Sequence, residues 1–248
     1  MDQNLKWNLK DKECIYFLHI PKTAGTTFYS AIQKHFSPKN TLILNDEGDE
    51  INEYFQSTPM DEREHLKFCR QHVDYSYYQY FSRKLVYITM LRNPIARVQS
   101  FYKHVLRVKD HKYHARVVEQ NIDMFDFATK IATNDVSNKQ VKMLVGGKAK
   151  EQRRLSALDL LEIAKMRLHE FAFFGLTERF DVSMQLLAYT FGWETLAYIS
   201  KNQAPQPNLI SDLTQREMDV LREKNVLDLE LYDYATKLFE QRVLTFLN

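Results

Sequence analysis

Short apolar runs alternate along this chain with longer segments in which apolar residues recur every three or four positions. The runs over residues 15–20, 85–91 and 171–176 are rich in aromatic and β-branched residues, which is typical of strands buried on both faces of a parallel sheet. Two shorter runs, over residues 41–44 and 66–70, predict two further strands.

Helical spacing follows the apolar runs. Apolar residues recur at Phe28, Ala31 and Ile32 after the first run, and at Ile95 and Val98 after the run over 85–91. Further helices are predicted between residues 113 and 168, over 182–191 and over 228–247, and residues 75–81 form an aromatic-rich helical segment. The alternation predicts an α/β fold with a central parallel sheet flanked by helices. With only six glycines and six prolines, long linkers are not expected, so residues 1–248 are predicted to form a single domain.

The segment over residues 19–27 lies between the first predicted strand and the first predicted helix. A helix N-terminus presents unpaired N–H groups and binds phosphate well. Gly25 allows close backbone approach to an anion, Lys22 adds a positive charge, and Thr26 and Thr27 add hydroxyl donors. The loop does not match the G-x-x-x-x-G-K-[ST] pattern, which disfavours a magnesium-dependent NTPase. The alternative is a plain turn with a solvated lysine and a threonine cap.

A second basic element follows the run over 85–91. Arg92 falls at the carboxyl end of the predicted strand, where open α/β sheets bind ligands, and its guanidinium suits phosphate. Asn93 is predicted to cap the next helix, with Pro94 in its first turn. Ser100 lies two turns further on. The alternative is that Arg92 pairs with an acidic neighbour and Ser100 is a surface serine.

His72 follows the short strand over 66–70, so it is predicted to emerge at the same edge as Lys22 and Arg92. A neutral imidazole there can take a proton from an acceptor hydroxyl. The alternative is a structural, hydrogen-bonded histidine. His104, His111 and His114 show no convincing metal-ligand spacing.

Composition narrows the class of protein further. A net charge of +2 argues against a general nucleic-acid binder. Cys14 and Cys69 are expected to be reduced thiols in the core, with one cross-link as the alternative. The polar N-terminus and the lack of a long apolar run predict no signal peptide, no membrane span and a cytoplasmic location.

Together these motifs resemble the sulfotransferases that use 3′-phosphoadenosine-5′-phosphosulfate (PAPS), and the branch with the heparan sulfate 2-O-sulfotransferases and their bacterial relatives is the most similar. Residues 20–27 look like that family's loop for the 5′-phosphosulfate, and residues 91–94 with Ser100 look like its 3′-phosphate site. Residues 140–144, 175–180 and 225–228 support the resemblance.

The resemblance implies a P-loop-like sulfotransferase fold and a role for each matching residue. The loop residues Lys22, Thr23, Ala24, Gly25, Thr26 and Thr27 would bind the 5′-phosphosulfate. Arg92 and Ser100 would hold the 3′-phosphate, and Lys201 and Asn202 would belong to a loop on the adenine side. His72 would be the catalytic base and Lys22 would stabilise the leaving group. PAPS would be the co-substrate, with no metal required, and 3′-phosphoadenosine-5′-phosphate the product.

The acceptor is less defined. The resemblance implies a hydroxyl, on a saccharide or another alcohol, and the glycan-sulfating members have two histidines flanking a glycine where this chain has Arg70, Gln71 and His72. A basic strip lies nearby and would suit an anionic glycan or form a solvated helix face; it consists of Lys103, Arg107, Lys109, Lys112 and Arg116. Two other classes stay open: an ATP-dependent phosphotransferase, and a non-catalytic nucleotide- or glycan-binding relative.

Overall fold

The computed structural model describes residues 5–44, 49–72, 74–194 and 213–247. Within these ranges the strands form one five-stranded sheet in which every neighbouring pair is parallel, in the order β2-β3-β1-β4-β5. The strands are β1 Glu13–Leu18, β2 Thr41–Leu44, β3 Phe68–Gln71, β4 Lys84–Leu91 and β5 Phe173–Leu176. The predicted α/β fold with a central parallel sheet is confirmed.

Helices connect the strands and flank the sheet. The α-helices are α1 Gly25–Ile32, α2 Asp49–Ser57, α3 Pro94–Arg107, α4 His114–Glu119, α5 Met124–Asp126, α6 Thr133–Val136, α7 Lys139–Val145, α8 Ala149–Gln152, α9 Ala157–Glu170, α10 Phe180–Phe191, α11 Gln215–Lys224 and α12 Val226–Leu247. Short 3-10 helices cover Gln33–His35, Pro38–Asn40, Asp61–Arg63, Tyr75–Tyr80 and Thr177–Arg179, and a π-helical turn covers Phe127–Ile131. None of the helices within the described ranges combines the length and apolarity needed to cross a membrane.

The strand register brings the carboxyl ends of the strands to one edge. Leu18 at the end of β1 is level with Gln71 at the end of β3, and with Thr89 of β4. β4 continues to Leu91, which is level with Leu176 at the end of β5. The segments that leave these four strands therefore begin close together.

Two apolar clusters support this edge. The larger one surrounds the sheet and includes all of the apolar residues of β1, which is buried along its whole length. The smaller one lies under α3, where Ile95 and Val98 pack with Phe127 and with Leu221 of α11. Because α3 is anchored by its own cluster, the polar residues along it are held in a fixed orientation relative to the sheet.

The structure differs from the sequence predictions mainly at element boundaries. The first strand covers Glu13–Leu18, so His19 and Ile20 belong to the following loop. Glu13 is tolerated inside the strand because its carboxylate accepts hydrogen bonds from Trp7 and the Lys10 backbone and pairs with Lys84 at 3.2 Å. The aromatic segment after β3 is a 3-10 helix, and the last strand begins at Phe173, two residues later than predicted.

Two local predictions are confirmed. The Asn93 side chain accepts hydrogen bonds from the backbone N–H groups of Ile95 and Ala96 and so caps α3. Cys14 and Cys69 are free, fully buried thiols on neighbouring strands, with 3.6 Å between their sulfur atoms. The organisation of residues 1–248 as a single domain stays a prediction.

Candidate active site

The segments that follow β1, β3, β4 and β5 are tied together by hydrogen bonds at the carboxyl edge of the sheet. His72 Nδ1 lies 3.1 Å from the carbonyl oxygen of His19, and Arg92 Nη1 donates to the carbonyl oxygen of Lys22 at 3.2 Å. The Thr177 hydroxyl donates to the carbonyl oxygen of Leu91 at 2.9 Å. The side chains of His72 and Arg92 therefore both contact the backbone of the loop that carries Lys22.

The loop between β1 and α1 has an unusual backbone. Lys22 and Ala24 have φ values of 72° and 62°, in the left-handed region that non-glycine residues rarely adopt. The fully buried Thr23 holds the turn through a hydrogen bond from its hydroxyl to the carbonyl oxygen of Ile20 at 2.8 Å. Ala24 is the N-cap residue of α1 and supplies no capping side chain. The N-cap residue of α1 therefore leaves the first N–H groups of the helix without a capping side chain, which suits them to an anion.

Lys22 lies among other cations. Burial, followed by the charges of Arg107 and Arg92, lowers the pKa of Lys22 from 10.5 to about 8. No carboxylate within the described residues forms an ion pair with Lys22. An anionic ligand beside Lys22 would offset this repulsion, so the residues present fit a phosphate-bearing molecule.

The backbone of Arg92 is held by a buried glutamine. Gln140 accepts a hydrogen bond from the Arg92 N–H at 3.0 Å, and its side-chain amide donates to the Arg92 carbonyl oxygen at 2.8 Å. The carboxylate of Asp228 in turn accepts from the backbone N–H groups of Gln140 and Val141 at 3.1 and 2.8 Å. Residues 140–144 and 225–228, which supported the family resemblance, therefore form the framework that positions Arg92.

An acidic neighbour of Arg92 is also present. Burial lowers the pKa of Arg92, and the charge of Glu178 acts in the opposite direction. Glu178 accepts from the backbone N–H of Asn93 at 3.0 Å and from the Tyr232 hydroxyl at 2.6 Å. Arg92 thus has a nearby carboxylate that is itself held by two donors.

The remaining loop residues differ in exposure. Thr26 is exposed and Thr27 is buried, while Ser100 is partly exposed on α3. A Cβ atom at Gly25 would overlap with the ring of His19. A glycine at this position is therefore required by the close approach of His19, a reason that is additional to the anion contact predicted from the sequence.

Sequence reasoning undervalued His104. This residue lies one turn beyond Ser100 on α3, and its buried Nδ1 has no hydrogen-bond partner among the residues the structure describes. Burial and the charges of Lys22, His111 and Arg107 lower its pKa to about 4. The available signal was its helical spacing from Ser100, which places both on the same side of α3.

The structure gives less information about the adenine-side loop and the basic strip. Lys201 and Asn202 lie outside the described residues. In the basic strip, Arg107 lies close enough to Lys22 to affect its pKa, whereas Lys112 pairs with Asp135 at 3.5 Å. The strip is therefore not a uniform cationic surface.

A parallel α/β sheet with a phosphate-type loop after its first strand, and basic groups after a neighbouring strand, is typical of the class of proteins that bind phosphorylated ligands. The sequence profile of the Sulfotransferase family matches residues 6–235 of this chain. The chain therefore belongs to the sulfotransferase family and is an enzyme of that class, as the sequence motifs predicted.

Three similar proteins are also named as sulfotransferases. Heparan-sulfate 6-O-sulfotransferase 2 of Gallus gallus is 27% identical in an alignment of 297 residues including gaps, and the alignment covers 97% of this chain and 70% of that protein. Heparan-sulfate 6-O-sulfotransferase 1 of Homo sapiens is 26% identical over 290 residues, covering 98% and 69%. Heparan-sulfate 6-O-sulfotransferase 3 of Mus musculus is 25% identical over 282 residues, and the alignment covers 95% of this chain and 59% of that protein. These relatives are named for 6-O-sulfation, so the predicted similarity to the 2-O branch is not specifically shown.

Proposed function

We propose that this protein transfers the sulfuryl group of PAPS to a hydroxyl of a saccharide, with His72 as the general base. The observation that carries the proposal is that Arg92 and His72, from two neighbouring segments, both contact the backbone of the loop that carries Lys22. Cationic groups suit the phosphates of a nucleotide donor, and an imidazole at the same edge of the sheet suits deprotonation of an acceptor. The similar proteins named as heparan-sulfate sulfotransferases support the saccharide as acceptor.

The donor would be bound by residues from two loops. Lys22, Thr23, Ala24, Gly25, Thr26 and Thr27 would hold its 5′-phosphosulfate, with Thr23 acting by keeping the loop in shape. Arg92, fixed by Gln140, and Ser100 would hold the 3′-phosphate, since a guanidinium pairs well with phosphate oxygens. When bound, the nucleotide supplies the sulfuryl group.

The tautomer of His72 supports its role as the base. The carbonyl oxygen of His19 can only accept, so Nδ1 of His72 carries the proton in their 3.1 Å hydrogen bond. In the neutral ring the lone pair is then on Nε2, which can accept the proton of an acceptor hydroxyl. Lys22 would stabilise the negative charge on the leaving phosphate.

His104 is a weaker candidate for this role. Its pKa of about 4 means that it is neutral at physiological pH but has a low affinity for a proton. General bases work best when their pKa lies near the operating pH. We therefore leave His104 as a neutral polar group beside Lys22 and assign proton removal to His72, on the geometry of its hydrogen bond to His19.

The direct test is a transfer assay with PAPS and a panel of acceptors. The panel contains sulfatable oligosaccharides, small alcohols and tyrosine peptides, and mass spectrometry detects the gain of one sulfuryl group. We expect transfer to a saccharide, lost in His72→Ala and kept in His65→Ala, a matched change at an exposed histidine. Transfer from ATP that requires magnesium would instead support a phosphotransferase. Binding of the nucleotide with no turnover on any acceptor would support a non-catalytic relative.

The cytoplasmic location stays a prediction. Cell fractionation with an antibody to the native protein would test it.

A further inference from the structure

Arg70, His19 and His72 form a continuous set of contacts beside the loop. Arg70 Nε lies 3.2 Å from His19 Nδ1, and the rings of His19 and His72 lie 4.1 Å apart between centroids. The carbonyl oxygen of His19 also accepts from His72 Nδ1 at 3.1 Å. His72 is therefore held by its neighbour in two ways, through a ring face and through a backbone hydrogen bond.

The hydrogen bond from Arg70 determines the tautomer of His19. An arginine has donors only, so His19 Nδ1 must accept and the ring proton must be on Nε2. Burial, with smaller contributions from His72, Arg70 and Lys22, lowers the pKa of His19 well below its ordinary value. His19 is thus a neutral ring in one tautomer, and it adds no positive charge next to His72.

Packing fixes the position of the His19 ring. It stacks on Phe17 with 5.1 Å between ring centroids, and Gly25 leaves the space that the ring occupies. Arg70 is itself held, because its guanidinium lies 4.9 Å from the ring centroid of Tyr29. His19 is 4% exposed, so its ring lies in the protein interior, whereas Arg70 and His72 are partly exposed.

We propose that His19 and Arg70 are positioning residues for His72: Arg70 fixes the tautomer of His19, and the His19 ring and carbonyl fix the orientation and tautomer of His72. The inference rests on the proposed function, because it assumes that His72 is the general base. A base that can rotate or change tautomer spends less time with its lone pair directed at the acceptor. Groups that orient a metal-binding histidine typically contribute a factor of about 10–100, and we expect an effect on the same scale for a histidine that acts as a base.

Three variants test the proposal. His19→Leu removes the ring nitrogens and keeps a buried apolar side chain, and we expect kcat to fall about 10–100-fold with unchanged affinity for 3′-phosphoadenosine-5′-phosphate. His19→Asn restores an acceptor for Arg70 but not the ring that packs on His72, so we expect it to recover only part of the lost activity. Arg70→Met removes the donor at a partly exposed position, and we expect a decrease of about 10-fold.

A spectroscopic measurement separates positioning from general structural damage. Nitrogen-15 NMR of histidine side chains distinguishes the two tautomers, and the signals of His72 are assigned by their loss in His72→Ala. We expect the wild-type protein to show His72 protonated on Nδ1 alone. We expect His19→Leu and Arg70→Met to show a mixture of tautomers for His72, because without the held His19 ring the His72 ring can turn away from the carbonyl oxygen of residue 19.

The double variant His19→Leu/His72→Ala links the two proposals. If His19 acts through His72, the double variant should be no slower than His72→Ala, because the His19 side chain has no contribution to turnover once the His72 imidazole is gone. If His72→Ala is inactive while His19→Leu and Arg70→Met keep wild-type kcat and a single His72 tautomer, the positioning proposal is overturned and the proposed function stands. If His72→Ala keeps wild-type turnover, the assignment of His72 as the base fails and the positioning role fails with it, while sulfuryl transfer itself stands. Should His19→Leu not fold, Arg70→Met decides the question by the same two measurements.

Discussion

Lys22→Met should make the free protein more stable and the enzyme much slower. Lys22 is a charged group crowded by burial and by the cations Arg107 and Arg92, which lower its pKa from 10.5 to about 8. At about 1.4 kcal/mol per pH unit this difference corresponds to about 3 kcal/mol, before solvent screening is considered. Because part of the side chain contacts water, we expect a net effect of about 1–2 kcal/mol. Methionine keeps the aliphatic stem and removes the charge.

The sign of the pH dependence follows from linkage. Between about pH 8 and pH 10.5 the unfolded chain binds the Lys22 proton and the folded protein does not, so the stability of the wild type rises with pH in this window. The cost of the charge is present in full below about pH 8 and disappears as the pH approaches 10.5. The advantage of Lys22→Met should therefore be largest near neutral pH and shrink towards pH 10.5.

Urea denaturation of the nucleotide-free proteins measures this difference. We expect a free energy of unfolding about 1–2 kcal/mol higher for Lys22→Met at about pH 7, and a smaller gain at about pH 10. Lys34→Met is the matched control, because Lys34 is exposed and should show almost no change. A variant that is less stable than the wild type at neutral pH would refute the inference that the Lys22 charge destabilises the folded protein.

Activity should change in the opposite direction. Removing one preorganised positive charge from the leaving group should lower turnover about 10²–10³-fold. Added 3′-phosphoadenosine-5′-phosphate should stabilise the wild type more than the variant, because ligand binding raises the free energy of unfolding according to affinity. Normal turnover in a folded Lys22→Met protein would remove Lys22 from the chemistry.

Three further predictions concern the residues around Lys22. His72→Ala should lower turnover about 10²–10⁴-fold while calorimetry shows an unchanged Kd for the nucleotide, and a loss of nucleotide binding would speak against a role as base. Arg92→Ala should remove most of the preference for PAPS over adenosine 5′-phosphosulfate, which corresponds to a loss of about 2–4 kcal/mol in the free energy of binding PAPS. Equal affinities of the wild type for both nucleotides would contradict the 3′-phosphate assignment. Gln140→Leu leaves the buried N–H and carbonyl of Arg92 without the side-chain partners they have in the wild type, so urea denaturation should show a free energy of unfolding that is lower by about 1–3 kcal/mol. An unchanged free energy of unfolding would mean that other groups replace these hydrogen bonds.

Features that depend on neighbouring residues could be predicted from the sequence. The strand before Arg92 is an apolar run that ends at a capping asparagine and a proline, and the structure has β4, the Asn93 cap and α3 at these positions. The loop after β1 was recognisable because a lysine, a glycine and two threonines stand between an apolar run and a helical pattern. The parallel direction of the strands followed from the alternation of strands and helices, since each connection must cross back over the sheet.

Features that depend on distant residues appeared only in the tertiary structure. The pattern of apolar residues cannot show that Gln140 holds the backbone of Arg92, because 48 positions separate them. The pairing of Arg70 with His19 arises only because β1 and β3 are neighbours in the sheet, which places residues 51 positions apart within hydrogen-bond distance. The requirement for Gly25 and the low pKa of His104 have the same origin. In each case the deciding factor is the group that packs against the residue, and the sheet order and helix packing choose that group.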